Sequence, residues 1–258
     1  MQEDEYGSEN DSPVTALGFL VPPEIASPDP VPAVGLAIIF DLDGVIINSM
    51  PVHELAWKRY LRERGVTADQ LTEENLFRNM HGRRNDEIIL SFLGNQRNGS
   101  GLSDDDIFLH GAAKEHLYRE MMASQLEQSL VPGVREFMAA VGDTPMAVAT
   151  NAERANADFV LTGANLRGFI RYIADGSQVE YAKPSPDIYL LAARQLGVLP
   201  HNCIVFEDSP VGIEAARRAG MRVAGIMTQA SSLDDVDLAI HDFRSPALHA
   251  WLAAQRVL

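Results

Sequence analysis

The chain has 258 residues, 46% of them hydrophobic, and a formal charge of −15, enough to bury a full core in one large domain or a medium one with a small companion. The acidic balance, with no Lys/Arg-rich run to displace phosphate counterions, excludes a nucleic-acid partner. No apolar run approaches the roughly 20 residues of a bilayer crossing and the N-terminus lacks a signal peptide's basic start, so the expectation is a soluble cytoplasmic protein without a membrane partner.

Residues 1–34 carry seven acidic residues, six prolines and no Lys or Arg. Such a segment rarely offsets its ordering entropy and reads as a disordered or loosely docked tail, with "ALGFLVPP" as the one apolar patch able to dock. From Leu36 the pattern changes to short apolar runs, each followed by a polar turn: "LAIIF", "MAVAT" (Met146–Thr150), "RYIA" (Arg171–Ala174), "CIVFE" (Cys203–Glu207) and "RVAGI" (Arg222–Ile226). Continuous runs of this length read as strands buried on both faces, joined by right-handed helical crossovers. The lone Cys203 sits in such a run and reads as a small core residue with no internal disulfide partner.

Between the first and second runs lie about a hundred residues without a strand-like run. The spacing of Val52, Leu55, Ala56 and Tyr60, then of Ile88 and Leu90 to Leu93, predicts an inserted helical bundle. Further on, "KPSPDIYLLAARQLG" predicts a crossover helix with Ser185 as N-cap, Pro186 at the first position, Gly197 after the end, and a stripe of Ile188, Leu191 and Leu196. The expected architecture is a doubly wound parallel α/β sheet with an inserted all-helical domain. Its parts are the tail 1–34, a core of 35–50 and 128–258, and a cap of 51–127.

In open α/β sheets, ligands bind outside the carboxyl ends of the strands. The first run delivers Asp41 and Asp43 there, the second Thr150 and Asn151, the fourth Glu207 and Asp208, and the loop after the third Lys183. Two carboxylates at close range repel by about 4 kcal/mol at an effective dielectric near 20, so a positive partner is required. A Mg²⁺ ion fits, since it takes carboxylates, waters and substrate phosphate in an octahedron. Asp41, Asp43 through its main-chain carbonyl, and Asp208 with Glu207 beside it form the expected protein share. The metal and Lys183 together lower the local charge from about −4 to about −1, leaving positive potential toward a phosphate. A calcium loop is excluded, because its sixth position is Ile46 rather than Gly and its twelfth is Val52 rather than Glu.

The motifs "FDLDGV" (Phe40–Val45), "ATN" (Ala149–Asn151), "KPSPD" (Lys183–Asp187) and "FEDSPVGIEAARRAG" (Phe206–Gly220) resemble, in order and spacing, those of the haloacid dehalogenase superfamily. The helical insertion, with His53 and Trp57 in "SMPVHELAWKRYL", is similar to the caps of its β-phosphoglucomutase-like branch. The resemblance implies Asp41 as nucleophile, forming an aspartyl-phosphate, and Asp43 as general acid and then general base. It implies Thr150 and Lys183 as holders of the phosphoryl group and Asp208 as a Mg²⁺ ligand.

In the cap, His53, Arg83 and Arg84 are candidates for substrate contact, with Lys114, which on its own reads as a solvated helix lysine. Asn151 belongs to the same set. The chain departs from the branch at Asn48, where Asp is common, and at Ala152–Arg154, where the mutases place a Ser-Lys pair. It departs also at Asn85, where the mutases place a cap arginine. These departures favour a phosphatase acting on a small phosphorylated metabolite, working as a monomer or weak homodimer. A β-phosphoglucomutase-type mutase is the alternative, and a non-enzymatic Mg²⁺-dependent binding module comes third.

Overall fold

The computed structural model describes residues 35–80, 85–94 and 101–255. The expected tail, Arg83 and Arg84 lie outside them. In chain order the elements are β1 (Ala37–Phe40), α1 (Met50–Arg62), α2 (Glu73–Met80), α3 (Asn85–Leu93), α4 (Asp104–Ala123), α5 (Leu126–Ser129), α6 (Val134–Ala140), β2 (Met146–Thr150), α7 (Arg154–Gly163), β3 (Tyr172–Asp175), α8 (Asp187–Leu196), β4 (Cys203–Glu207), α9 (Pro210–Arg218), β5 (Arg222–Ile226), β6 (Leu238–Ile240) and α10 (Pro246–Ala254). The described strands form a six-stranded sheet in the order β3-β2-β1-β4-β5-β6, every neighbouring pair parallel.

The strands are largely apolar, with polar residues only at their ends, because both faces are covered. Ile38, Phe40, Val148, Ile204 and Phe206 join the core on one face, and Ala37, Ile39, Ala147, Ala149, Cys203 and Val205 the core on the other. The first core is built around Phe40, Phe137, Phe206 and Phe243, with Phe40 and Phe206 stacked at 5.3 Å, and it runs on into the helical insertion through Val52, Ala56, Trp57 and Tyr60. The second is lined by Ala192, Ala193, Ala215 and Ala216 of α8 and α9; their small side chains let these helices lie close on the sheet.

The five expected strands are present, β3 one residue later than read. β6 is an addition: three residues at the sheet edge, only Ile240 fully buried, too short for an apolar run to stand out. Helix α8 starts at Asp187, two residues after the expected cap, because Ser185 donates its N–H to the carbonyl of Ala182 in a turn. Its buried stripe is Ile188, Tyr189, Ala192 and Ala193, while Gly197 ends it at φ 69° as expected. In the insertion, Leu55 and Leu90 point outward, 51% and 48% exposed. The inward positions of α1 are Val52, Ala56, Trp57, Tyr60 and Leu61, and those of α3 are Ile88, Ile89 and Leu93.

Candidate active site

The strand order reverses between β1 and β4, so the crevice of this doubly wound sheet opens at their carboxyl ends. Phe40 pairs with Phe206, and the Asp41 N–H donates to the Phe206 carbonyl at 2.9 Å. This register sets Asp41 level with Glu207. Lys183, from the loop before α8, bridges them: its Nζ donates to Asp41 Oδ1 at 2.6 Å and to Glu207 Oε1 at 2.7 Å. Burial opposes the Lys183 charge, but Asp41 and Glu207 outweigh it and hold the ammonium well above its ordinary pKa.

Glu207 departs from the sequence expectation of a group beside the metal. It is fully buried, and both its oxygens are taken. Oε1 accepts from Lys183 and from Tyr189 O–H at 2.8 Å, and Oε2 accepts from the N–H groups of Asp208 and Ser209 and from Ser209 Oγ. With its oxygens so engaged, Glu207 anchors Lys183 and has no free oxygen to offer a metal. Ser209 also accepts from the Gly212 N–H and so caps α9, whose first residue is Pro210.

Asp43 accepts a 2.5 Å hydrogen bond from Ser49 Oγ. Ser49 precedes α1 yet makes no side-chain cap bond to it, its hydroxyl being spent on Asp43. Asp208 leans over the turn after β1. A Cβ on Gly44, whose φ is +78°, would fall 1.9 Å from Asp208 Oδ2, so only glycine leaves that carboxylate its place. Thr228 Oγ1 donates to the Gly44 carbonyl at 2.8 Å and fastens the same turn.

This arrangement fits a divalent cation. Desolvation, opposed by Lys183 and aided by Glu207 and Asp43, lifts the Asp41 carboxyl to about 7. Burial with Glu207, Asp41 and Asp43 lifts Asp208 to about 8, and desolvation raises Asp43 as well. The Asp41, Asp43 and Asp208 carboxyls thus oppose one another's ionisation beside a turn that Gly44 keeps open for Asp208, while the Lys183 ammonium is shared with Glu207. Among the described residues, no three His, Cys, Asp or Glu side chains converge as a ready metal cage. The groups that could hold a Mg²⁺ are Asp41, Asp208 and the Asp43 carbonyl, a small oxygen set of the kind Mg²⁺ completes with water and substrate.

On the second strand end, Thr150 is buried and its Oγ1 accepts from the Ala152 N–H. Asn151 is exposed, and its Oδ1 accepts from the Lys183 N–H at 3.4 Å. Arg154 is engaged with Asp158 at 2.9 Å, and Asn48 accepts from Gln229 Nε2 at 2.8 Å.

Across the cleft, Lys114 overturns its reading as a solvated lysine. It is 1% exposed, donates to Glu115 Oε1 and contacts His53 Nδ1, both at 2.8 Å. An ammonium only donates, so His53 Nδ1 accepts and the ring carries its proton on Nε2, 3.9 Å from Asp43 Oδ1. Burial and the Lys114 charge lower the His53 pKa to about 3, and the neutral ring lies flat on Tyr118 at 3.8 Å. His53 and Lys114 therefore form an arm aimed at Asp43. Sequence reasoning missed Ser49, Tyr189, Glu115, Asn156 and Thr228; apart from the adjacent Lys114–Glu115 pair, the side-chain bonds cited for them span 6 to 184 positions, and no local pattern signals them.

A family model described as haloacid dehalogenase-like hydrolase matches residues 36–220. Among curated relatives, the fructose-1-phosphate phosphatase YqaB of Escherichia coli (strain K12) is 34% identical over 187 residues, 71% of this chain and 92% of that protein. The β-phosphoglucomutase of Bacillus subtilis (strain 168) is 28% identical over 190 residues, 74% of this chain and 82% of that protein. The solved structure of a HAD hydrolase, family IA, variant 3, from Entamoeba histolytica HM-1:IMSS superposes with a TM-score of 0.71 at 28% identity, covering 85% of this chain and 99% of that one. The family match runs from before β1 to beyond α9 and takes in every strand-end carboxylate described above; the chain belongs to the haloacid dehalogenase-like hydrolases.

Proposed function

We propose that the protein is a Mg²⁺-dependent phosphatase that hydrolyses a small phosphorylated metabolite, a sugar phosphate or similar monoester, through an aspartyl-phosphate on Asp41. The observation that carries this reading is the Lys183 bridge between Asp41 and the fully bonded Glu207. It holds the Asp41 carboxylate in fixed orientation one residue from a second carboxylate, Asp43, which supports reading the first as nucleophile and the second as the proton-transfer group.

In this reading Asp41, the Asp43 carbonyl and Asp208 would hold Mg²⁺, which would supply neutralisation of the phosphoryl charge. Asp41 attacks phosphorus, and the ester P–O bond breaks as Asp43 gives its proton to the leaving alcohol. Asp43 then takes a proton from water as that water attacks the aspartyl-phosphate, releasing phosphate and restoring Asp41. Lys183, Thr150 and the Asn151 side of the loop face the phosphoryl oxygens. The cap, taken as residues 51–127, closes on a core of 35–50 and 128–258 and shields the site. The protein acts on its own in the cytoplasm, as a monomer or weak homodimer, without nucleic acid or membrane.

A mutase reading draws on the 28% identity to β-phosphoglucomutase. It requires a cap clamp for a second phosphate. Among the described residues, Asn85 donates to Glu115 at 2.7 Å and Lys114 is committed to Glu115 and His53; the other cap candidates, Arg83 and Arg84, lie outside the described residues, and the preference for a phosphatase rests on the departures at Ala152–Arg154 and Asn85.

The test is a screen of phosphorylated metabolites, fructose 1-phosphate among them, with inorganic phosphate as readout and with and without EDTA. A β-glucose 1-phosphate isomerisation assay primed with bisphosphate runs beside it. Phosphate release is expected, lost in EDTA, and about 10³-fold or more slower in Asp41→Asn. Full turnover in Asp41→Asn would overturn the mechanism, and steady isomerisation with little phosphate released would make the protein a mutase.

A further inference from the structure

Helix α4 presents a fork to α7. Glu115 and Arg119, one turn apart on α4, both meet Asn156. Its Nδ2 donates to Glu115 Oε2 and its Oδ1 accepts from Arg119 Nη1, each at 2.7 Å. Asn156 is 2% exposed and Glu115 4%. An amide matches this fork because it carries a donor at one end and an acceptor at the other. A carboxylate there sets acceptor against acceptor at Glu115, and a leucine of similar size leaves both charged groups short of a partner.

The other oxygen of Glu115 accepts from Lys114 and from Asn85, and Lys114 leads on to His53 opposite Asp43. One carboxylate is thus tied through Oε2 to α7 and through Oε1 to the arm above the acid–base aspartate. Burial opposes the Glu115 charge, and the Lys114 ammonium with the bonds from Lys114 and Asn156 outweighs it, bringing its pKa down to about 2. None of these contacts enters the chemistry written above. They have the form of a joint, made between a helix of the insertion and the helix that follows the Thr150 loop.

We propose that Asn156 is the core's latch for the helical cap, a positioning residue whose amide grips Glu115 and Arg119 and thereby sets the Lys114–His53 arm over Asp43. The role of the arm rests on the reading of Asp43 as the proton-transfer group. Because both prongs sit on one helix, the two bonds break together when the cap lifts, and Lys114, which keeps His53 and Glu115, loses the cover of its core-side neighbours Asp43 and Glu153. Asp41, Lys183 and Asp208 belong to the sheet edge and its loops, so an unlatched cap leaves the nucleophile in place.

The test uses the full chain with Asn156→Leu and Asn156→Asp, and its first measurement needs no substrate. Reductive methylation of Lys114 is followed by mass spectrometry, with Lys58 of α1 as internal reference. Losing bonds to two charged groups should speed Lys114 modification about tenfold or more, with Lys58 unchanged. Should the Asn156 variants not fold, Arg119→Met removes one prong at a half-buried site and is expected to act in the same direction. In the second measurement, kcat/KM should fall about tenfold or more on fructose 1-phosphate. On p-nitrophenyl phosphate, whose leaving group needs no acid, it should fall less than about twofold. An unchanged Lys114 rate overturns the latch, as do equal losses on the two esters. Absence of phosphate release by the unaltered enzyme overturns the phosphatase reading instead, and the Lys114 rate then decides the latch alone.

Discussion

Asp41 and Asp43 are one residue apart, yet their surroundings differ. Asp41 is gripped by Lys183 at 2.6 Å, whereas Asp43 is 30% exposed in its side chain and meets a hydroxyl, Ser49, and the neutral ring of His53. Desolvation raises the pKa of Asp43, which favours the protonated form that an acid needs. Asp43→Asn is therefore expected to slow sugar phosphate turnover about 10²-fold or more and p-nitrophenyl phosphate far less; equal losses would mark Asp43 as structural. A second prediction concerns a residue that never meets substrate. A Cβ on Gly212 would fall 1.6 Å from Glu207 Oε1, and Glu207 has no room to yield because five hydrogen bonds hold it. Gly212→Ala should cost about 1–3 kcal/mol of stability despite alanine's better helix propensity, and lower kcat by loosening Lys183. Thermal melts and steady-state rates check both effects.

Helix α4 is the element whose sequence least resembles its use. Its Ser103–Asp106 capping box and three acidic residues in the first turn mark its start as any surface helix's. Within it, Lys114 and Glu115 are buried beside Leu117, Tyr118 and Met122, because α1 covers one side and α7 the next. The consequence is a pH signature. His53 has its pKa lowered from 6.5 to about 3, first by burial and then by Lys114. The unfolded chain thus binds this proton more readily than the folded one, and the stability tied to His53 is complete above pH 6.5 and lost as pH falls from 6.5 toward 3. His53→Gln, which removes the titration, should flatten the fall of Tm between pH 7 and pH 4.5 relative to the unaltered protein. In NMR the His53 ring should show no protonation shift between pH 8 and pH 5. A midpoint near 6.5 would mean that the Lys114 contact does not hold in solution.

For the molecule as a whole, the sheet order brings strand ends together across long stretches of chain. Lys183 reaches Asp41 over 142 positions, and Thr228 reaches Gly44 over 184. The proline-rich acidic composition of residues 1–34 argues against a share in the core. A chain beginning at Val34 should therefore melt within a few degrees of the full one and turn over at the same rate; a drop of many degrees would mean that the "ALGFLVPP" patch is docked.

The strands were readable because burial on both faces writes an unbroken apolar run, and the strand-end positions of Asp41, Asp43, Thr150 and Asp208 because each stands at the end of such a run or just past it; Lys183 comes from the longer loop after β3. Those signals are local, a matter of side-chain pattern over five to ten residues. Three matters were not local. Glu207 looked like a companion of the metal until packing against Tyr189, Ser209 and α9 consumed both its oxygens. Lys114 looked solvated until α1 and the cleft enclosed it, and Asn156 carried no signal because its partners Glu115 and Arg119 lie 41 and 37 positions away. Hydrogen-bond partners inside a core are allotted by which helices come to lie against each other, a choice made by the summed packing of the chain, and no single stretch of sequence records it.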